Sequence, residues 1–285
     1  MPPTVRTSRK LLLGREIAHM LANSGVTQVD AAKLIETSPA RIASLINGGS
    51  SIGVGDLELL ARKLGFTDEG YLDALRELRR DNHKRGYWTT GHNRAYAEDL
   101  RLLVDLEKDA ERIRGVRVEV VPGLLQCEAY VRAQHVDVPS ETPLEDRIKA
   151  RMVRQEILTK AHPPAVEFVL SESCLRRVSA PAAVMREQME YLITLSRRRN
   201  VFIQVMPFDH RAAIDSPFTL IRVPSPGAAG PLEVAYVEGM GEIRYLDDKK
   251  ALAAHEAAWT RLSNAALRFE ETRKFLARVA KDFQT

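Results

Sequence analysis

Two helix-start signals, Thr27 and Ser38, stand one short helix and one tight turn apart, and that spacing restricts the fold more than any other feature of the chain. Thr27 is placed as an N-cap with Asp30 at N3, a capping box with Asp in place of Glu. Ala31, Ala32 and Leu34 form the inner stripe of the helix that follows, and Ile35-Glu36-Thr37 is a short connection. Ser38-Pro39 then opens the next helix as N-cap followed by Pro at N1. Ile42, Leu45 and Ile46 give that helix an inner face, and Gly48-Gly49 closes it. Ahead of the pair, Leu13, Ile17, Met20 and Leu21 recur at helical spacing up to a stop at Gly25. Behind it, Leu57, Leu60, Ala61 and Leu64 mark a fourth helix ended by Gly65, and a fifth runs from about Tyr71 to Arg80.

Helix, three-residue turn, helix is the plan of a helix-turn-helix. Small residues are needed where the helices cross, and Ala31 and Ala32 supply them. Polar or small residues must begin the second helix, because that end enters the major groove of duplex DNA; Ser38, Pro39, Ala40, Arg41 and Ser44 occupy it, with Asn47 near its end. Gln28, at the start of the first helix of the pair, can donate to a phosphate. Arg6, Arg9 and Lys10 read as a short polar arm able to lie in a minor groove. Charge agrees with a polyanionic partner. Residues 1–94 hold 14 Lys/Arg against 10 Asp/Glu, and residues 95–285 hold 28 of each, so the whole surplus of +4 sits at the N-terminal end. The competing reading is a five-helix bundle that binds protein.

The string GVTQVDAAKLIETSPARIASLINGG at 25–49 resembles the Cro/repressor-like, or xenobiotic-response-element, regulators, whose usual run is G-x-T/S-Q…L-A…S…I-S…E-x-G. The resemblance spans about residues 9–65. It departs at Ile46, where those proteins carry Glu, and at Pro39 and Ala40, where they carry long polar side chains. Arg41, Ser44 and Asn47 remain as polar candidates for base contact, and Pro39 and Ala40 can touch a thymine methyl.

Residues 82–94, basic and polar, read as a linker between a head at 1–81 and a body at 95–285. In the body Ala97–Arg114 reads as a long helix. The runs 116–121, 166–170, 201–206, 218–223 and 232–237 read as strands. Helical stretches fall near 143–160, 181–197 and 249–283, and PSPGAAGP at 224–231 is a loop between two hairpin strands. The fold class is α+β, an all-helical head followed by a mixed α/β body. VEVVPGLLQCEAYVRA at 118–133, RMVRQEIL at 151–158, FVLSESCLRR at 168–177 and VFIQVMPF at 201–208 resemble actinobacterial regulators of the WhiJ-like kind. That resemblance implies a role in developmental or secondary-metabolism control and, in some members, a small partner protein encoded nearby, in an antitoxin-like arrangement.

Arg151, Arg154 and Gln155 share one helix of the body, with Arg151 and Gln155 on one face. Either they pair with Glu172 or Glu167 inside the domain, or with Glu172 they receive an effector or partner. Trp259, Leu262, Leu267, Phe269 and Phe275 stud the last helical stretch as core or dimer contacts. The inventory points away from an enzyme and from any cofactor. The histidines are scattered without metal-ligand spacing, GGSSIGVG follows a helix and lacks the Lys of a phosphate loop, and there is no GxSxG elbow. Cys127 and Cys174 stand far apart and read as reduced thiols. No apolar run reaches the roughly 20 residues of a membrane span. The expectation is therefore a cytoplasmic, nucleoid-associated protein that binds double-stranded DNA as a homodimer, since one recognition helix rarely supplies enough contacts. Its body would sense a small molecule or a small partner protein; the alternative is an antitoxin-like protein whose body sequesters that partner.

Overall fold

The computed structural model describes residues 6–80, 95–138, 140–210 and 212–283, so the expected linker at 82–94 lies outside the described residues. The chain divides into two compact units. The first comprises residues 1–89, 101–109 and 223–232, and the second residues 90–100, 110–222 and 233–285. The first unit thus takes in two segments beyond the boundary at 95 read from sequence.

Five helices, α1 (Ser8–Ser24), α2 (Gln28–Leu34), α3 (Pro39–Ile46), α4 (Val54–Lys63) and α5 (Glu69–Arg80), make up most of the first unit. The first three begin at side-chain caps, Thr7, Thr27 and Ser38. The Thr27 hydroxyl accepts from the Asp30 amide and the Ser38 hydroxyl from the Arg41 amide, each at 3.2 Å. Each such cap is worth about 1 kcal/mol. The core is the inner stripe of each helix: Leu13, Ile17 and Met20 from α1, Ala31 and Ala32 from α2, Ile42 and Leu45 from α3, Leu57 and Leu60 from α4, Leu72 and Leu75 from α5. To these the unit adds most of α6 (Glu98–Asp109) and the loop 223–232. Ser8, fully buried at the start of α1, donates its amide to Asp105 of α6 at 2.7 Å and its hydroxyl to both Asp105 and Asp109. Two carboxylates therefore sit at the positive end of α1. Burial pushes the Asp105 carboxyl above its usual range, against the Ser8 amide, which favours the charged form.

The second unit is built on a six-stranded sheet in the order β3-β2-β1-β4-β5-β6. The strands are β1 (Arg112–Arg117), β2 (Ala165–Ser171), β3 (Val201–Met206), β4 (Phe218–Val223), β5 (Leu232–Gly239) and β6 (Glu242–Leu246). β1, β2 and β3 run parallel, while β1 and β4, like β5 and β6, are antiparallel. Helices α7 (Glu128–His135), α8 (Leu144–Gln155), α9 (Glu172–Arg176), α10 (Ala182–Leu195), α11 (Lys249–Ala265) and α12 (Phe269–Asp282) complete it. One face of the sheet, with Val116, Val169, Phe218, Leu220 and Ala235, packs against Trp259 and Leu262 of α11. Ile113, Phe168, Leu170, Ile203 and Val205 on the other face are equally buried, as a parallel sheet covered on both sides requires.

Three sequence expectations are corrected here. The long helix at 97–114 is α6, ending at Asp109, and the strand expected at 116–121 runs at 112–117 instead. Arg112, Arg114 and Gly115 look unlike strand residues, yet Arg112 bonds to Glu167 and Arg114 to Glu256, and a Cβ at Gly115 would collide with the Phe168 ring. The single stretch 249–283 is two helices, because Ala266 and Arg268 are extended. β6 (Glu242–Leu246) was not anticipated from the sequence. The α+β class itself holds: a helical head followed by a mixed sheet with helices.

Candidate nucleic-acid interface

The α2–α3 pair presents one polar surface. Ile42 and Leu45 point inward and are buried, and the opposite side of α3 exposes Ser38, Pro39, Ala40, Arg41 and Asn47, with Ser44 half-buried beside them. Ile46, expected inside, is only half-buried. The connection runs over four residues, the expected Ile35-Glu36-Thr37 and the cap Ser38, and Glu36 supports it at φ 49, a left-handed conformation that a side chain tolerates with strain. Thr37 closes the turn by donating its amide to the Ala32 carbonyl at 2.9 Å.

Gln28 is exposed at the first position of α2. Beside it the Thr27 hydroxyl donates to the Asp30 carboxylate at 2.7 Å, and Lys33 Nζ stands 2.9 Å from the same group. Lys33, through its hydrogen bond, is the main cause of the lowered pKa of Asp30. The one negative charge at the start of α2 is thus countered by a neighbouring lysine, which suits a surface meant to face phosphates. Arg41, the third residue of α3, donates its Nη2 to the Ser51 carbonyl at 3.2 Å. That bond is exposed, so exchanging it for a base or phosphate contact costs little.

The expected arm does not exist as an arm. Arg6 is exposed just ahead of α1, but Arg9 and Lys10 lie in the first turn of the helix. Thr7 caps that turn, its hydroxyl accepting from the Lys10 amide at 3.3 Å. The Arg9 guanidinium lies 3.7 Å from Glu77 and 3.6 Å from Asp109, and Lys10 is buried. Helix formation from Ser8 onward places both cations on a packed helix, not on an extended arm of the kind a minor-groove contact uses.

Sequence reading missed the group that fixes α1. Glu16 is 0% exposed. Its carboxylate accepts from the Ala228 amide at 3.0 Å, the Ala229 amide at 3.0 Å, the Tyr71 hydroxyl at 2.9 Å and the Ser225 hydroxyl at 3.3 Å. A Cβ at Gly227 would overlap that carboxylate, so the loop can approach only with glycine there. Burial and the Glu16 charge push the Tyr71 phenol well above its usual range. The signal was present: Glu16 falls on the same helical stripe as Leu13, Ile17 and Met20, where a lone carboxylate needs partners.

In the second unit the four effector candidates meet different partners. Gln155 donates to the carbonyls of Gly123 and Gln126, each at 2.8 Å, and accepts from the Tyr191 hydroxyl. Arg151, on the same face of α8, lies over Gly123, where a Cβ would collide with its guanidinium. Arg154 is half-buried one turn along. Glu172 is taken by Arg176 and by the Phe208 amide at 2.9 Å, and Glu167 by Arg112. The expected bonds from Gln155 to Glu172 or Glu167 are therefore replaced by bonds to the turn that follows Pro122. Among the described residues no helix is long and apolar enough to cross a membrane.

Comparison with protein-family models gives two matches. A helix-turn-helix model matches residues 17–72, and a model described as a domain of unknown function, DUF5753, matches residues 100–278. Comparison with curated proteins and with solved structures gave no match.

Proposed function

On the premise that the chain belongs to the DUF5753 family and carries an XRE-type helix-turn-helix ahead of that domain, we propose that it is a transcription regulator that binds operator DNA as a homodimer. It acts by binding and has no chemistry of its own. The observation that carries this reading is the exposed face of α3, where Arg41, Ser44 and Asn47 stand outward on a helix whose inner side is locked by Ile42 and Leu45. DUF5753 supplies a body that senses a small molecule or a small partner protein, and the WhiJ-like strings favour control of development or secondary metabolism in an actinobacterium.

The test is titration of the purified protein against its own promoter fragment and a scrambled control at several salt concentrations. Tight, promoter-selective binding with a steep salt slope is expected. Equal weak binding to both fragments at every salt concentration would overturn sequence-selective regulation by the protein alone.

Two substitutions divide the work of the surface. Arg41→Ala is expected to weaken binding to the promoter by about 1–3 kcal/mol, with little effect on the scrambled control. Equal loss on both would reassign Arg41 to a phosphate. Gln28→Ala is expected to weaken both alike, since a phosphate contact carries no sequence information. Unchanged affinity in a gel-shift titration would remove Gln28 from the interface.

A further inference from the structure

Helix α11 carries alanine on a stripe where bulk would fill the space. Ala254 and Ala258 stand one turn apart in line with Leu262. Beside them, inside the second unit, a hollow of about 130 Å³ remains, walled also by Phe218, His255 and Arg261. We propose that this hollow is an effector site for a small neutral aromatic molecule carrying a hydroxyl group. The inference rests on the reading above of the body as a small-molecule sensor and gives that sensor a place.

Topology puts the hollow where sheets of this kind take ligands. The chain leaves β1 to one side for β2 and β3 and returns on the other side as β4, so the strand order turns back between β1 and β4. Ligands of open α/β sheets settle in the crevice at the carboxyl ends of the strands beside such a point. Phe218, at the start of β4, pairs with Val116, the last residue but one of β1, and so marks that end. The connection from β3 to β4 supplies the rim. Arg261 donates to the Ala213 carbonyl at 3.0 Å and stands 3.3 Å from the Asp215 carboxylate, which ties the connection to α11.

The walls select the occupant. Phe218 and Leu262 are buried and, with Ala258, make an apolar floor. A hollow of this size holds about one six-membered ring, since an engineered apolar cavity of about 150 Å³ takes benzene. The Phe218 and His255 rings already meet edge to face, 5.1 Å apart at 76°, and another ring can join them on the same terms. His255 sets the polar requirement. Its Nδ1 lies 2.7 Å from the Ala251 carbonyl. A carbonyl only accepts, so Nδ1 carries the hydrogen and Nε2 is left as an acceptor for a hydroxyl on the occupant. An anion is disfavoured, because the Arg261 guanidinium is engaged by the rim and a second carboxylate would stand against Asp215.

The test is fluorine NMR on the full-length protein titrated with para-fluorophenol, with fluorobenzene and para-fluorobenzoate as comparisons and circular dichroism confirming that each variant is folded. The phenol is expected to bind with a Kd on the order of 1 mM. Fluorobenzene, lacking the hydroxyl, should bind about fivefold more weakly. His255→Phe keeps a ring and removes the acceptor, so it is expected to bring the phenol to within about twofold of fluorobenzene. Ala258→Leu fills the floor and Ala254→Leu, at an exposed position, the mouth; each is expected to weaken both ligands by about tenfold. No binding of the phenol, equal affinity for fluorobenzene, or indifference to the filling substitutions would each overturn the site as proposed. So would a preference for para-fluorobenzoate, which would assign the hollow to a carboxylate held by Arg261. Promoter titration with and without para-fluorophenol separates the site from the sensor reading. Binding in the hollow that leaves promoter affinity unchanged overturns only the sensor. A promoter response that survives in His255→Phe and in both filling variants overturns only the site.

Discussion

Glu16→Ala is expected to be the most destabilising single truncation in the first unit, lowering its unfolding free energy by about 3–5 kcal/mol. The substitution removes a buried acceptor and leaves its donors in place. The amides of Ala228 and Ala229 and the hydroxyls of Ser225 and Tyr71 all converge on the Glu16 carboxylate, and Glu16 is completely shielded from water. Alanine leaves these donors stranded unless the loop 223–232 lifts away, and lifting exposes the apolar surface beneath. Glu16→Gln keeps the shape and one good acceptor but turns an amide N–H₂ toward donors, so an intermediate loss is expected. Urea unfolding gives the free energies, and hydrogen exchange at Ala228 and Ala229 gives the local readout. A loss under about 1 kcal/mol with both amides still protected would show that the carboxylate does not hold the loop.

The head was legible because its information is local. Caps at Thr27 and Ser38, Pro39 at N1 and the stripes of Leu, Ile and Ala are each properties of a few neighbouring residues, and the helices they specify are present. Strands β3 and β4 were legible for the same reason, being β-branched runs bounded by breakers. What stayed hidden depends on residues distant in sequence. β1 is a strand because Arg112 and Arg114 find Glu167 and Glu256, 55 and 142 residues away. β6 is a strand because β5 offers it a ladder. Arg9 and Lys10 looked like a free arm because nothing near them announces Asp105 and Asp109, which hold the start of α1 from the far side of the linker region. Likewise Gln155 was placed on the right face of its helix, but its true partners are backbone carbonyls, which no side-chain pattern can announce.

Gly14→Ala should damage the helix-turn-helix more than its size suggests. Alanine is ordinarily the better helix residue by about 1 kcal/mol. At Gly14 the sign reverses, because the added Cβ would fall on the backbone carbonyls of Leu45 and Ile46 at the end of α3. Those atoms belong to a helix and cannot swing aside as the tip of a side chain could, so α1 and α3 must separate. The seam around Ile17, Ile42 and Leu45 opens with them. Overpacking of this kind costs about 1–3 kcal/mol, and against rigid backbone the upper end is expected. Separation also displaces α3, the element that carries Arg41, Ser44 and Asn47, so promoter affinity should fall even at temperatures where the variant remains folded. Gly55→Ala supplies the control. Gly55 is likewise helical, in α4, but nothing lies within 4 Å of where its Cβ would stand. It should therefore stabilise by about 0.5–1 kcal/mol and leave DNA binding alone. If thermal unfolding shows both substitutions stabilising, the close crossing of α1 over α3 is not what positions the recognition helix.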